Sequence, residues 1–205
     1  MILTLDIWKS MLLSAADLFN ENVEQLTALD AVIGDADHGN TVGKIGNVIR
    51  EEALNATETG QMFNAIGKKL MSLPGGSACP LYGLFFQGFA KGLGEGACDV
   101  LMMRAMFEAA AKKLGAFSGA KLGDKTMMDA VLPATEVIKT AEGTPAQILR
   151  AAAEAANSGA KATEQFVSKF GRAKSYGERT LGVADPGATS MSLFYEGCAR
   201  ALEAL

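Results

Sequence analysis

The sequence predicts an all-α chain built as one antiparallel helical bundle. Three observations carry this. Apolar residues recur at steps of three and four over most of the 205 residues. No alternating run of apolar and polar β-branched residues is long enough for a strand. Seven or eight helical stretches are separated by short breaks marked by glycine or proline. No repeat, low-complexity tail or linker divides the chain, so residues 1–205 are expected to form a single domain.

The first helix begins near Leu5 and is expected to run to Leu29. Leu5, Trp8, Leu12, Ala15, Leu18 or Phe19, Val23, Leu26 and Leu29 share its buried face. The second covers Thr41–Leu54, with Val42, Ile45, Val48 and Ile49 inward. The third runs Gln61–Leu73 through Met62, Phe63, Ile66 and Leu70. Pro74-Gly75-Gly76 ends it, because proline cannot extend the hydrogen-bond ladder and glycine suits the turn. "YGLFFQGFAKGL", Tyr82–Leu93, is apolar enough to lie centrally and to be buried on most sides. Asp99–Phe117 is alanine- and methionine-rich and amphipathic, and Thr126–Thr140 carries Pro133 as a kink. Thr144-Pro145-Ala146-Gln147 is a helix start, with Thr144 as N-cap and Gln147 closing a capping box. That helix is expected to reach Phe170, and the last one spans Asp185-Pro186-Gly187 to Leu205. The 23 glycines are many for a helical protein. They concentrate in four breaks, Gly34–Gly46, Gly75-Gly76, Gly119–Gly123 and Gly171–Gly187, which also hold the distinctive polar residues. Such loops can meet at one end of a bundle and form a site.

Composition excludes several classes. The net charge is −4 and the basic residues form only short pairs such as Lys68-Lys69, so nucleic acid is not an expected partner. No apolar run reaches membrane-spanning length, and the N-terminus lacks the basic start of a signal peptide. Cys79, Cys98 and Cys198 show no metal-ligand spacing and read as reduced, structural thiols of a cytoplasmic protein.

Chemistry concentrates in "LDAVIGDADHGN", Leu29–Asn40. Asp30 falls at the end of the first helix, and Asp35 and Asp37 in the loop after it. Three carboxylates with little nitrogen or sulfur nearby suit a hard cation such as Mg²⁺; solvated acids capping helices are the bland alternative. An EF-hand fails, since Gly39 and Gly46 stand where ligands are required, and a Walker A loop fails at Ile45. His38 is the only histidine; a nearby anion or metal-bound phosphate would favour its protonated form. His38-Gly39-Asn40-Thr41 offers backbone N–H groups to an anion at the start of the next helix. "LPGGSACPLYG" allows backbone to approach a phosphate and adds the Ser77 hydroxyl. In "GDKTMMDAVLPA", read alone, Asp124 is an N-cap and Met127 and Met128 are core. "GRAKSYGERTLGVADPGATS" brings Arg172, Lys174 and Arg179, then Asp185-Pro186-Gly187. Together the four stretches describe a metal-bound polyphosphate held by glycine-rich loops, the apparatus of phosphoryl transfer. There is no Ser-His-Asp or Cys-His arrangement and too little histidine for zinc.

These four stretches, in this order from residue 29 to 190, resemble the L subunit of dihydroxyacetone kinase, the counterpart of the nucleotide-binding C-terminal domain of single-chain kinases of that kind. The resemblance implies a barrel of eight antiparallel helices with ADP or ATP bound at one end. It implies that Asp30, Asp35 and Asp37 hold two Mg²⁺ ions. It assigns phosphate to His38, Gly39, Asn40 and Thr41, continued by Ser77 and Ala78. Gly119, Met127, Arg172, Asp185, Pro186 and Gly187 would surround the nucleoside. One departure stands out: Gly75-Gly76-Ser77-Ala78-Cys79 replaces the commoner Gly-Gly-Ala-Ser-Gly, which moves the hydroxyl by one residue and fits a paralogue for another small ketose or polyol. The chain offers no obvious general base. In the family the acceptor sits on a separate K subunit, held covalently by a histidine there, and no substrate domain is expected within these 205 residues. The resemblance leaves two phosphoryl donors open: exchanging ATP, or retained ADP rephosphorylated by a phosphotransferase-system M subunit. It also leaves open a nucleotide-loaded module that binds a transcriptional regulator, and a homodimer. Lys174, Ser175 and Tyr176 are the expected exposed contacts for the K subunit.

Overall fold

The computed structural model describes residues 1–205. It is all helical, with nine α-helices: α1 (Leu5–Glu21), α2 (Val23–Ile33), α3 (His38–Asn55), α4 (Thr59–Met71), α5 (Ala78–Gly92), α6 (Val100–Ser118), α7 (Met128–Thr140), α8 (Pro145–Ala162) and α9 (Pro186–Glu203). Two 3₁₀ segments, Thr163–Gln165 and Arg172–Thr180, lie between α8 and α9. There is no strand. No helix is long and apolar enough to cross a membrane.

Two boundaries depart most from the sequence expectation. The first predicted helix is two, α1 and α2, broken at Asn22 (φ −109°, ψ 15°). Both the backbone N–H and the side-chain amide of Asn22 donate to the Leu18 carbonyl, closing α1 there although the apolar stripe continues through Leu26. The helix expected to reach Phe170 stops at Ala162. The Thr163 hydroxyl turns back onto the Ala160 carbonyl and the chain leaves α8 through a 3₁₀ turn. Its start is as expected: Thr144 and Gln147 form a complete capping box.

Packing runs in a closed circuit. α1 packs on α3, α3 on α4, and each later helix on the next up to α9, which packs back on α1; α2 lies outside the circuit against α3. The interior is aromatic. Trp8 of α1, Phe63 of α4, Phe85, Phe86 and Phe89 of α5, Phe107 of α6, and Phe194 and Tyr195 of α9 are all fully buried. Their rings meet mostly edge to face, as in Trp8–Phe63 (5.2 Å, 84°) and Phe85–Phe89 (5.0 Å, 89°), the arrangement the ring quadrupole prefers. The predicted central helix is α5, and only Lys91 on it is exposed. All three cysteines are free and buried.

Candidate functional site

The loops at the N-termini of α3, α5, α7 and α9 converge with the 3₁₀ segment at Arg172 around a cavity of about 520 Å³. Each helix end is built locally. Asp30 sits in the last turn of α2, and its Oδ2 accepts the backbone N–H groups of Asp37 (2.9 Å) and His38 (3.2 Å). That carboxylate folds the 34–37 loop onto the start of α3. A Cβ on Gly34 would lie 2.0 Å from Asp30 Oδ1, so a side chain there would displace the carboxylate that holds the loop. Asp30, Asp35 and Asp37 are thereby gathered, each offering an oxygen within 4.8 Å of the others. Burial, then the charges of Asp35 and Asp30, push the Asp37 carboxyl up, the signature of acids packed without enough positive charge. Arg172 partly supplies that charge: its Nη1 is paired with Asp35 and stands 3.8 Å from Asp37.

The expected α3 start moves from Thr41 to His38. Of the amides expected to face an anion, that of His38 is already spent on Asp30, as is that of Asp37 before it, leaving the first-turn amides of Gly39 and Asn40 outside the helical ladder. Gly39 itself faces α2, where a Cβ would meet the Val23 carbonyl at 2.1 Å, and Asn40 is exposed. The His38 side chain is engaged with α9. Its Nε2 lies 3.1 Å from Ser190 Oγ, which also accepts from the Tyr82 hydroxyl (3.0 Å). Burial pushes the His38 pKa down more than Asp30 and a hydrogen bond to Pro186 push it up.

Twelve of the sequence-predicted residues line the cavity: Asp30, Asp35, Asp37, His38, Thr41, Ser77, Ala78, Met127, Arg172, Asp185, Pro186 and Gly187. Gly39, Asn40 and Gly119 do not, although Ser118 and Ala120 on either side of Gly119 do. Gly119 ends α6 in the left-handed conformation (φ 66°). Arg172, placed around the nucleoside by resemblance, lines the cavity and is paired there with Asp35. Gly76 brings the α5 loop against Asp37, whose oxygens lie about 3.4 Å from a Cβ built there. Asp185 caps α9 by accepting from Ala188 N–H (2.7 Å); burial, with Asp129 nearby, pushes its carboxyl up to about 7 against the pull of that hydrogen bond and of Lys125. Of the three expected exposed contacts, Lys174 and Ser175 are exposed, but Tyr176 is half-buried, donating to the Gly34 carbonyl under the Arg179 guanidinium.

Sequence reasoning missed Lys125, Phe117 and Phe170, which also line the cavity. It also misassigned the cap of α7. Asp129, not Asp124, gathers the loop, accepting from the N–H groups of Gly123 (2.6 Å) and Thr126 (2.7 Å). Asp124 instead accepts from Lys121 N–H and pairs with Lys169. A capping carboxylate inside the first turn rather than before it was readable from Thr126-x-x-Asp129.

An all-α circuit of helices, with an acid cluster and glycine-rich helix starts enclosing one cavity at its end, defines a class of protein suited to holding a cation and a polyanion together. Residues 32–200 match the DAK2 domain family, and the chain belongs to it. It is 37% identical over 193 residues to the D-erythrulose kinase of Mycolicibacterium smegmatis, covering 90% of this chain but 33% of that protein. It is 33% identical over 181 residues to the PEP-dependent dihydroxyacetone kinase ADP-binding subunit DhaL of Escherichia coli, covering 85% of this chain and 86% of that subunit. Among solved structures it resembles the dihydroxyacetone kinase of C. freundii in complex with AMP-PNP and Mg²⁺, with a TM-score of 0.75 and 25% identity, over 94% of this chain and 33% of that one. The chain thus spans a third of the length of the single-chain kinases it matches and most of the length of DhaL.

Proposed function

We propose that this chain is the phosphoryl-donor subunit of a kinase for dihydroxyacetone or a related small ketose, binding ADP or ATP with two Mg²⁺ ions. The observation that carries the reading is the gathering of Asp30, Asp35 and Asp37 at the mouth of a cavity bordered by helix N-termini. Three carboxylates sharing so small a volume, with Asp37 pushed up by burial and then by the charges of the other two, are a donor set for hard cations. When bound, Mg²⁺ would offset phosphate charge and hold the transferring group in line. The chain's own residues do the rest. Asp30 holds the loop in register through two backbone N–H groups. Gly76 and Ser77 let the α5 loop come close beside Asp37. Arg172 is poised to turn from Asp35 toward a phosphate, and the apolar wall of Ile33, Leu81, Phe117, Met127 and Phe170 keeps water from the bound nucleoside.

His38, the one histidine at the cavity, is engaged with Ser190. This supports an acceptor presented by a partner, a K subunit, with this chain active only in that complex. The near-full coverage of DhaL, named ADP-binding and PEP-dependent, supports retained ADP rephosphorylated by a phosphotransferase-system M subunit. A second reading, an ATP-exchanging kinase of a four-carbon ketose, is favoured by the 37% identity to D-erythrulose kinase. The two readings part on one experiment. The protein purified without added nucleotide is denatured and its nucleotide measured by anion-exchange chromatography. Stoichiometric ADP, absent from Asp37→Asn, is expected for the first; no bound nucleotide but Mg²⁺-dependent ATP binding supports the second. Either result keeps the nucleotide reading; a chain that takes up no nucleotide with or without Mg²⁺ overturns both.

A further inference from the structure

Between α8 and α9 the chain leaves α-helix and loops out to place Arg172 on the acid cluster. Both ends of this loop are held by one side chain. Lys125 Nζ donates to the carbonyl of Thr163, where the loop leaves, and to that of Val183, where it returns. A second strap lies beside it, from Gly182 N–H to the Glu164 carbonyl (2.7 Å). The Lys125 side chain is 1% exposed, and the residue lines the cavity. Its backbone is left-handed (φ 60°), one of only two non-glycine residues in the chain with positive φ. Glycine or asparagine would sit there with less strain. A lysine at such a position, with its ammonium taken out of water, has to be explained by what its side chain holds.

We propose that Lys125 is a positioning residue: its ammonium clamps the neck of the 163–183 loop, keeps Arg172 at the cavity within reach of a bound phosphate, and so slows release of the nucleotide. This rests on the reading of the cavity as a nucleotide site. The clamp acts where a loop is cheapest to control. Two ends pinned to one point leave the loop little freedom, whereas either end released alone lets the whole segment swing. The neck is also tied inward, since the Thr163 hydroxyl accepts from Asp185 N–H (2.8 Å) and Asp185 begins α9.

The test uses Lys125→Met, which keeps length and removes the donors, and Lys125→Gly, which removes the side chain but relieves the left-handed backbone. Hydrogen exchange of segment 166–181 is measured in the nucleotide-free protein, and release of a fluorescent ADP analogue is followed with Mg²⁺ present. Both variants are expected to raise exchange in that segment and to speed release about tenfold, with association rate and exchange in α1, α5 and α9 unchanged. Slow release and wild-type exchange in Lys125→Met, or restoration of slow release by Lys125→Gly, would overturn the clamp, because a purely backbone role is met by glycine. If Lys125→Met does not fold, Gly182→Ala, which strains the second strap (φ 80°) without touching Lys125, should shift both readouts the same way to a smaller degree, and no shift would count against the proposal. A wild type that binds no nucleotide would sink the site reading, while the exchange measurement would still decide the clamp.

Discussion

Glycine does opposite work in the wall and at the open end of this molecule. In the wall, Gly83, Gly88, Gly92, Gly159 and Gly197 lie inside helices where another backbone passes directly over them; a Cβ on Gly88 would stand 2.3 Å from Ala110 Cα, and one on Gly197 2.4 Å from Ala15 Cα. At the open end, Gly119, Gly123, Gly171, Gly177 and Gly182 have positive φ and no atom near the space a Cβ would fill. The wall glycines exist for closeness and the loop glycines for conformation. The same added methyl therefore has a packing cost in one region and a backbone cost in the other, and the two regions should fail in different ways.

The largest effect is expected at Gly88→Ala. The three atoms nearest its Cβ belong to the α6 backbone at residues 109 and 110, where no flexible side chain can yield. α5 and α6 must separate, which opens gaps around Phe85, Phe89 and Phe107. The loss of stability should be about 3 kcal/mol, at the upper end for overpacking, with Mg²⁺-nucleotide affinity retained by the fraction still folded. Urea unfolding checks it. A variant as stable as the wild type would mean that the helices are not in close contact at that point.

The circuit of helices was legible because it rests on local periodicity. Trp8, Leu12, Ala15 and Phe19 announce the inner face of α1, and Thr144 and Gln147 the start of α8. The wall glycines were not legible as such: reading glycine as a sign of loops absorbed Gly39, Gly43 and Gly46, which lie inside α3, and passed over Gly88 and Gly197. Only the crossing partner reveals their purpose, and that partner is distant in sequence. The acid cluster was legible because its three members lie within eight residues and are brought together by one turn. Lys125 was not, since it acts on carbonyls of residues 163 and 183, and backbone carbonyls carry no sequence signal.

An intermediate effect is expected at the open end for Asp185→Asn, read as a dependence on pH. In the folded chain the carboxyl is pushed up to about 7; unfolded, it returns toward the ordinary value of 3.8. Below pH 4 both states are protonated and the group contributes nothing. From pH 4 to 7 the folded state holds a proton that the unfolded state has lost, so rising pH takes stability away, and the loss is complete above 7. Asparagine cannot ionise but can still accept from Ala188 N–H. Measured without Mg²⁺ or nucleotide, the variant should gain on the wild type across that window by about 2 kcal/mol in all, less than the full linkage value because the carboxyl keeps some contact with solvent. Parallel stability curves for the two proteins between pH 4 and 7 would show that Asp185 ionises as freely as an exposed acid.

The smallest effect sharpens the comparison most. Gly119→Ala adds at the end of α6 the same methyl that Gly88→Ala adds within α5. Here nothing lies within 4 Å of it, and only the left-handed backbone (φ 66°) objects. The cost should be about 1 kcal/mol, the usual difference between alanine and glycine in that conformation, and Gly119→Asn should cost less because asparagine tolerates it better. Ser118 and Ala120 border the cavity, so a shifted backbone would also weaken nucleotide binding, whereas a backbone merely strained in place would not. Thermal unfolding and nucleotide titration of the two variants separate these cases. If alanine and asparagine cost the same, the penalty is not conformational. If either costs as much as Gly88→Ala, a neighbour must fill the space beside Gly119, and the division between glycines for closeness and glycines for conformation would not hold at this end of the molecule.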